Sequence, residues 1–370
     1  MDDPPRFEVR REDQVCVRSH LCSWSGYGRL GLEVAKALLD DGHRVGLHPY
    51  SQDARFLAWP EWVASRLVHQ SGLWRVCCNT PYTFKRHPLG AQDVAVTMWE
   101  TTRLPEGCVE SLNRARAVIV PSHWCATVFS ACGVTVPIRV VPLGVEPDQG
   151  FRFLGPKLRP VGQFVFGTAG RLSHGGDRKG LVDVIQAFRT AFPRDPQVRL
   201  EVKCWPDCGL PEVDDSRIHY NRQPLLPSHL AGWYRNLDCY VTATRGEGFG
   251  LQPLEAMSVG TPVIAPRWSG LSEYFDSRAG WELPFDLKTT HENFFQGTGL
   301  WAVPTYEGLV ETLLLARGSN HSARASGERA AKMASGFTWR NFRLNLVKAL
   351  RSVNFARTLV PVHEEASDAP

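Results

Sequence analysis

Short apolar segments of strand length alternate with amphipathic helical segments along this chain, and this constrains the fold more than anything else in the sequence. Residues 14–19 (QVCVRS) alternate like a strand, and 20–28 (HLCSWSGYG) form a loop. Residues 29–41 carry a helical apolar stripe that stops at Gly42, and 43–48 (HRVGLH) read as the next strand. A strand–loop–helix–strand unit pairs its strands in parallel, because the helix carries the chain back to the end where the first strand began. The same grammar continues with strands at 93–98 and 117–120, a helix at 123–132 capped by Ser122, and a strand at 138–141. Residues 146–162 are rich in Pro and Gly and lack periodicity, which marks a connection between domains. A second series follows, with strands at 163–168, 198–204, 238–243 and 262–265. Helices are expected at 179–192, 228–236, 252–259, 305–317, 322–335 and 338–353.

The 370 residues suit two domains at about 100–200 residues each. The predicted division is 1–147, a linker at 148–162, a second domain at 163–337, a returning helix at 338–357, and a tail at 358–370. The net charge of +4 is unevenly placed: residues 1–150 hold 16 basic and 16 acidic side chains, and 151–370 hold 26 and 22. No run of five basic residues offers an arm for nucleic acid. The ten cysteines form no pair of CxxC motifs. Cys204 and Cys208, with His219 downstream, lack the tight repeated spacing of zinc ligands. No stretch reaches the roughly 18 apolar residues of a membrane span, and the polar N-terminus lacks a signal-peptide core. A reduced, cytoplasmic setting is expected.

The segment with the most chemistry is 244–266, TRGEGFGLQPLEAMSVGTPVIAP. It follows a strand, places Gly246, Gly248 and Gly250 within five residues, and opens a helix. Such a loop brings backbone N–H groups to an anion at a helix N-terminus. Glu247 lies in the loop and Glu255 in the first turns of the helix, both facing one crevice, where carboxylates can accept from the vicinal hydroxyls of a ribose or hexose. Taken singly, the glycines suit a tight turn and Glu255 a solvated helix position. Together and in this order they point to a sugar-nucleotide site.

Glu247-Gly-Phe-Gly-Leu-Gln-Pro-Leu-Glu255 resembles the E-x7-E signature of retaining glycosyltransferases of family 4 (group 1). Gly260-Thr-Pro-Val-Ile-Ala265, Trp233-Tyr-Arg-Asn-Leu-Asp238, Gly170-Arg171-Leu172 with Lys179-Gly180, Val120-Pro-Ser122 and Val141-Pro-Leu-Gly-Val145 extend the resemblance over about 115–275. It implies an α/β protein of GT-B architecture, with two Rossmann-like domains and the active site in the cleft between them. It also implies a retaining, metal-independent hexosyl transfer. The donor would be a nucleoside-diphosphate sugar, UDP-sugar favoured over GDP-sugar, and the acceptor a hydroxyl of a glycan, a small molecule or a lipid-linked compound.

By the same resemblance, Arg171 and Lys179 would hold the donor diphosphate and stabilise charge on the leaving group. Ser173–Arg178 intervene and could lend Arg178 in place of Lys179. Glu255 would bind the ribose, Glu247 the donor sugar, and the amides around Gly248, Phe249, Gly250 and Leu251 the sugar and phosphate. No DxD dyad stands in a metal-binding context, and no cofactor is required.

Gly26-Tyr-Gly28-Arg-Leu-Gly31 matches G-x-G-x-x-G. The next strand ends Leu47-His48-Pro49-Tyr50 without the carboxylate a dinucleotide site wants, so Gly26 and Gly28 are assigned to the donor phosphate instead. Relatives often carry a His near the reacting centre. Here the comparable text, Val96 to Arg103, offers Glu100, which would orient the acceptor or relay its proton, or else pair with Arg103; His87 reads as a loop residue. Three readings stay beside the main one. The first is transfer to hydroxylated bases in DNA, which a neutral first half disfavours. The second is a non-catalytic sugar-nucleotide or glycan binder. The third is peripheral membrane contact through Trp59, Trp62, Leu67 and Val68 in an amphipathic stretch at 53–70.

Overall fold

A computed structural model describes residues 15–21, 26–50, 61–67, 74–155, 162–172, 176–206, 208–290, 293–295, 299–318 and 320–355. The first sheet has six strands: β1 (Val15–Ser19), β2 (Val45–Pro49), β3 (Trp74–Cys78), β4 (Asp93–Val96), β5 (Ala117–Val120) and β6 (Ile138–Val140). They lie in the order β2-β1-β3-β4-β5-β6, and every pairing is parallel. Helices α1 (Gly26–Asp40), α2 (Glu61–Ala64), α3 (Pro81–Arg86), α4 (Cys108–Leu112) and α5 (His123–Ala131) connect them. β4 and β5 are buried at all four positions, as expected of parallel strands covered on both faces.

The second sheet is built from β7 (Phe164–Gly170), β8 (Val198–Cys204), β9 (Ile218–Asn221), β10 (Cys239–Val241), β11 (Val263–Ala265) and β12 (Gly280–Glu282). Its order is β12-β11-β10-β7-β8-β9, again all parallel. Helices α6 (Leu181–Ala191), α7 (Pro227–Arg235) and α8 (Leu251–Ser258) join these strands. An antiparallel hairpin of β13 (Phe285–Thr289) and β14 (Leu300–Pro304) follows, then α9 (Tyr306–Gly318), α10 (Asn320–Ala334) and α11 (Trp339–Ser352). The expected pair of Rossmann-like sheets is therefore present. Among the described residues, no helix is long and apolar enough to cross a membrane.

Helix α1 begins three residues earlier than periodicity predicts, so Gly26 and Gly28 stand in its first turn rather than in a loop. The cause is tertiary. Ser19 Oγ donates to Tyr27 O at 2.9 Å, and a Cβ on Gly31 would lie 2.2 Å from that same Oγ. The helix thus lies directly on β1. Strands β3, β9 and β12 to β14 escaped the sequence reading, being short or carrying Cys, polar and exposed residues. Of the stretch 53–70, only 61–67 is described; Trp62 and Leu67 pack half-buried against the core, and Trp59 and Val68 lie outside the described residues. Cys204 and Cys208 are buried in the apolar core of the second sheet.

Helix α11 lies across α1 of the first sheet. Arg343 Nη1 meets Glu33 at 2.6 Å and Arg351 Nη2 meets Asp41 at 2.5 Å. The chain enters α11 beside the first sheet's last connection: Val145 N donates to Phe337 O and Trp339 N to Val145 O, both at 3.0 Å. Trp339 is fully buried there. Trp339→Ala should cost about 3–5 kcal/mol of stability, read as a lowered melting temperature of the full chain.

Candidate functional site

The loop from β10 to α8 is pressed between the two sheets. A Cβ on Gly246 would fall 2.1 Å from Glu100 O, and one on Gly248 2.5 Å from Met98 Cβ. Ser122, the N-cap of α5, accepts from Cys125 N at 3.1 Å and donates to Gly248 O at 2.8 Å. On the other side Glu247 N donates to Ser269 Oγ, and Gly270 N to Glu247 O, both at 2.9 Å. Only residues without a side chain let this loop reach the C-terminal edge of the first sheet. That edge carries the turns after β4 and β5.

Glu247 is 7% exposed and held by cations. Lys179 Nζ lies 2.5 Å from Oε1 and Arg178 Nη1 3.2 Å from Oε2, and Thr244 Oγ1 donates to Oε1 at 3.0 Å. Burial opposes ionisation, yet Lys179 and Arg178 overcome it and bring the carboxyl down to about 2. The Lys179 ammonium is pushed below its ordinary value by burial, with Glu247 holding it up. Gly180 sets this geometry. Its φ of +67° and its approach to Ala243 O, 2.3 Å from an added Cβ, start α6 directly against the end of β10. Asp177 caps that helix, accepting from Leu181 N at 2.9 Å and Val182 N at 2.8 Å. Arg178 and Lys179 are thereby stretched across the loop containing Glu247.

Glu255, on α8, is also 7% exposed but sits in the opposite electrostatic state. Burial raises its pKa, with Arg29 and Tyr234 working against the rise. Tyr234 Oη donates to Oε2 at 3.0 Å, and Arg29 Nη1 lies 3.7 Å from Oε1. Arg29 comes from α1 and stacks 5.4 Å over the Trp339 ring. It therefore joins α1, α8 and α11, and sequence reasoning missed it: a variable position inside a glycine motif carries no signal of a partner more than 200 residues away.

Glu100 lies under the same loop. Burial raises its pKa, Arg178 and Lys179 lower it, and Glu247 raises it. No Glu100–Arg103 ion pair exists among the described residues. Arg171, at the end of β7, is exposed and makes no ion pair among the described residues; Ser173, His174 and Gly175 lie outside them. Phe249 is buried against Tyr274 and Phe337 and anchors the loop in the core. Gly250 is the N-cap of α8 and Leu251 its first residue, so the N–H groups of Leu251 and Gln252 head that helix, Pro253 having none. Gly26 is exposed and Gly28 buried in the first turn of α1. The structure thus gathers Glu100, Arg178, Lys179 and Glu247 around one loop. Arg171 stays apart from that ion-paired group.

Residues 163–289 match the family model described as "Glycosyl transferases group 1". The D-inositol 3-phosphate glycosyltransferase of Arthrobacter sp. (strain FB24) is 33% identical over 161 residues, which cover 39% of this chain and 37% of that relative. The lipopolysaccharide core biosynthesis mannosyltransferase LpsB of Rhizobium meliloti (strain 1021) is 50% identical over 46 residues, 12% of this chain and 13% of LpsB. The chain thus matches well under half the length of these curated relatives. Similarity to solved structures reaches further. Sucrose-phosphate synthase from Thermosynechococcus elongatus superposes with a TM-score of 0.67 at 16% identity, covering 93% of this chain and all of that one. Anabaena Alr3699/HepE in complex with UDP-glucose gives 0.65 at 16% identity, covering 92% and 99%. The fold is GT-B.

The Glu247 environment has a measurable pH signature. Its carboxyl titrates near 2 in the folded chain against an ordinary 4.5, so between those values the unfolded chain binds the extra proton and stability rises with pH. The contribution is complete above about pH 4.5 and is lost as pH falls through 2. Acid unfolding of Glu247→Gln should lack this component, whereas the wild type shows it.

Proposed function

We propose that the chain is a retaining glycosyltransferase that moves a sugar from a nucleoside-diphosphate sugar, UDP-linked in preference to GDP-linked, to an acceptor hydroxyl. The observation that carries this reading is the loop between β10 and α8. It holds an ionised Glu247 among cations and a buried Glu255 one helical stretch further, against the edge of the first Rossmann-like sheet. Two kinds of similarity support it: the group 1 match over residues 163–289, and a solved neighbour of the same fold in complex with UDP-glucose. In this reading residues 1–147 form the acceptor domain, 148–162 the linker and 163–337 the donor domain, with the segment 338–357 returning to the first.

Glu255 takes the ribose hydroxyls, with Tyr234 and Arg29 fixing the carboxylate. The amides of Gly248 to Leu251 meet the sugar and the diphosphate. The bond from the anomeric carbon to the β-phosphate oxygen breaks, and its electron pair stays on the diphosphate. Arg171, exposed and unpaired among the described residues, and Lys179 stabilise that growing charge. These cations supply the compensation that a divalent metal gives elsewhere. The acceptor oxygen bonds to the same face of the anomeric carbon, and its proton passes to the departing phosphate oxygen. Glu247, held near pKa 2, stays an anion throughout: it orients Lys179 and faces the positive charge developing on the sugar, without forming a covalent bond. Glu100 reaches the site from the first domain and orients the acceptor hydroxyl. A cytoplasmic setting suits the nine cysteines of the described residues, all free thiols.

UDP-glucose at about 100 times its Kd should stabilise the wild type by about 2.7 kcal/mol in thermal unfolding. Glu255→Ala and Arg171→Ala should each weaken that effect at the same concentration. Lys179→Ala should lower kcat/KM for transfer by about 10²- to 10³-fold. Unchanged donor binding in both Glu255→Ala and Arg171→Ala would overturn the proposal.

A further inference from the structure

Arg18 is the fourth of five residues in β1, near the end facing the second domain, and only 4% of it is exposed. Its register neighbours are His48 in β2 and Cys77 in β3. The guanidinium carbon lies 5.0 Å from the centroid of the Tyr50 ring. Nε has no hydrogen-bond partner, and no carboxylate pairs with Arg18 among the described residues. A buried cation without an anion is unfavourable, and the face of one tyrosine offsets only part of that penalty.

Polar groups surround it. Asn79 Oδ1 accepts from Thr80 N at 2.8 Å, so Nδ2 turns to His20 Nε2 at 3.2 Å, which places the ring proton on Nδ1. The Tyr50 ring lies 6.4 Å from His20 and 5.3 Å from His87. Burial lowers the pKa of both imidazoles, leaving the guanidinium as the fixed charge of the cluster. Arg18, His20, Tyr50 and Asn79 sit at the C-terminal ends of β1, β2 and β3 or just beyond them, and His87 is the C-cap of α3. The turn after β4, which touches Gly246 and Gly248, stands on the same edge. From β1 across β3 to β4 is two strand spacings, roughly 10 Å, a span suited to one sugar ring bearing one charged group.

We infer that Arg18, with His20, Tyr50 and Asn79, forms an oxyanion subsite in the first domain, so that the acceptor carries a phosphate or carboxylate group. A planar guanidinium fork matches either group. As an account of the acceptor, the inference rests on the transferase reading; the subsite itself can be tested without the donor.

The test is thermal unfolding and calorimetry of the full chain with glucose 6-phosphate, glucuronate, inorganic phosphate and glucose, with UDP-glucose titrated separately. The anionic probes should bind and glucose should not; glucose 6-phosphate against glucuronate tells phosphate from carboxylate. Arg18→Gln should weaken the anionic probe at least 10-fold and raise the acceptor KM by a similar factor, with a smaller effect on kcat, while UDP-glucose affinity holds within twofold. Asn79→Ala should weaken the same probe less, and it provides the mutational test if Arg18→Gln fails to fold. Failure of every anion to bind the wild type, or wild-type anion affinity in Arg18→Gln, would overturn the subsite. Anion binding without any UDP-glucose binding would uphold the subsite and overturn the transferase reading.

Discussion

The contact on which the rest of the structure depends is that of one loop backbone with another sheet's edge. Gly246 and Gly248 approach Glu100 O and Met98 so closely that any side chain would collide. The hydroxyl of Ser122 fixes Gly248 O from the first sheet, and Ser269 fixes Glu247 N from the second. Glu247, between the two glycines, therefore has no freedom of position. Lys179 and Arg178 can be aimed at it from the start of α6 because Gly180 brings that helix to the end of β10.

The two motif carboxylates are equally buried and yet pushed in opposite directions. Two cations and a hydroxyl converge on Glu247, and they outweigh the cost of burial. Glu255 has one more distant guanidinium and a tyrosine hydroxyl, and burial wins. The difference follows from where the helices start. Gly180 places two cations at the loop, whereas Glu255, a turn into α8, takes its direct partners among the described residues from α1 and α7. It also gives the carboxylates different aptitudes: Glu247 a fixed negative charge, Glu255 a polar group that can exchange its present partners for others.

Much of this was legible in the sequence because the relevant signals are local. Buried strands such as β4, β5 and β7 announce themselves as apolar runs. The strand, glycine loop and helix of 239–258 appear in order, with Glu247 and Glu255 where the motif puts them. What stayed hidden depends on partners distant in the chain. The start of α1 is set by Ser19 beneath Tyr27 and Gly31. Arg29 finds Glu255 only once α11 has returned and set Trp339 beneath it. Arg18 is one residue of an alternating strand, and nothing in that pattern shows that the fold buries it. Arg178 was visible merely as an alternative to Lys179; the structure places both on the same carboxylate.

The most direct measurement is a crystal structure of the chain with UDP and a non-transferable donor sugar. The account predicts the ribose on Glu255, the diphosphate against Lys179, Arg171 and the amides heading α8, and the sugar beside Glu247 beneath the turn carrying Glu100. A nucleotide lodged elsewhere, or bound without contact to Glu255 and Lys179, would contradict it.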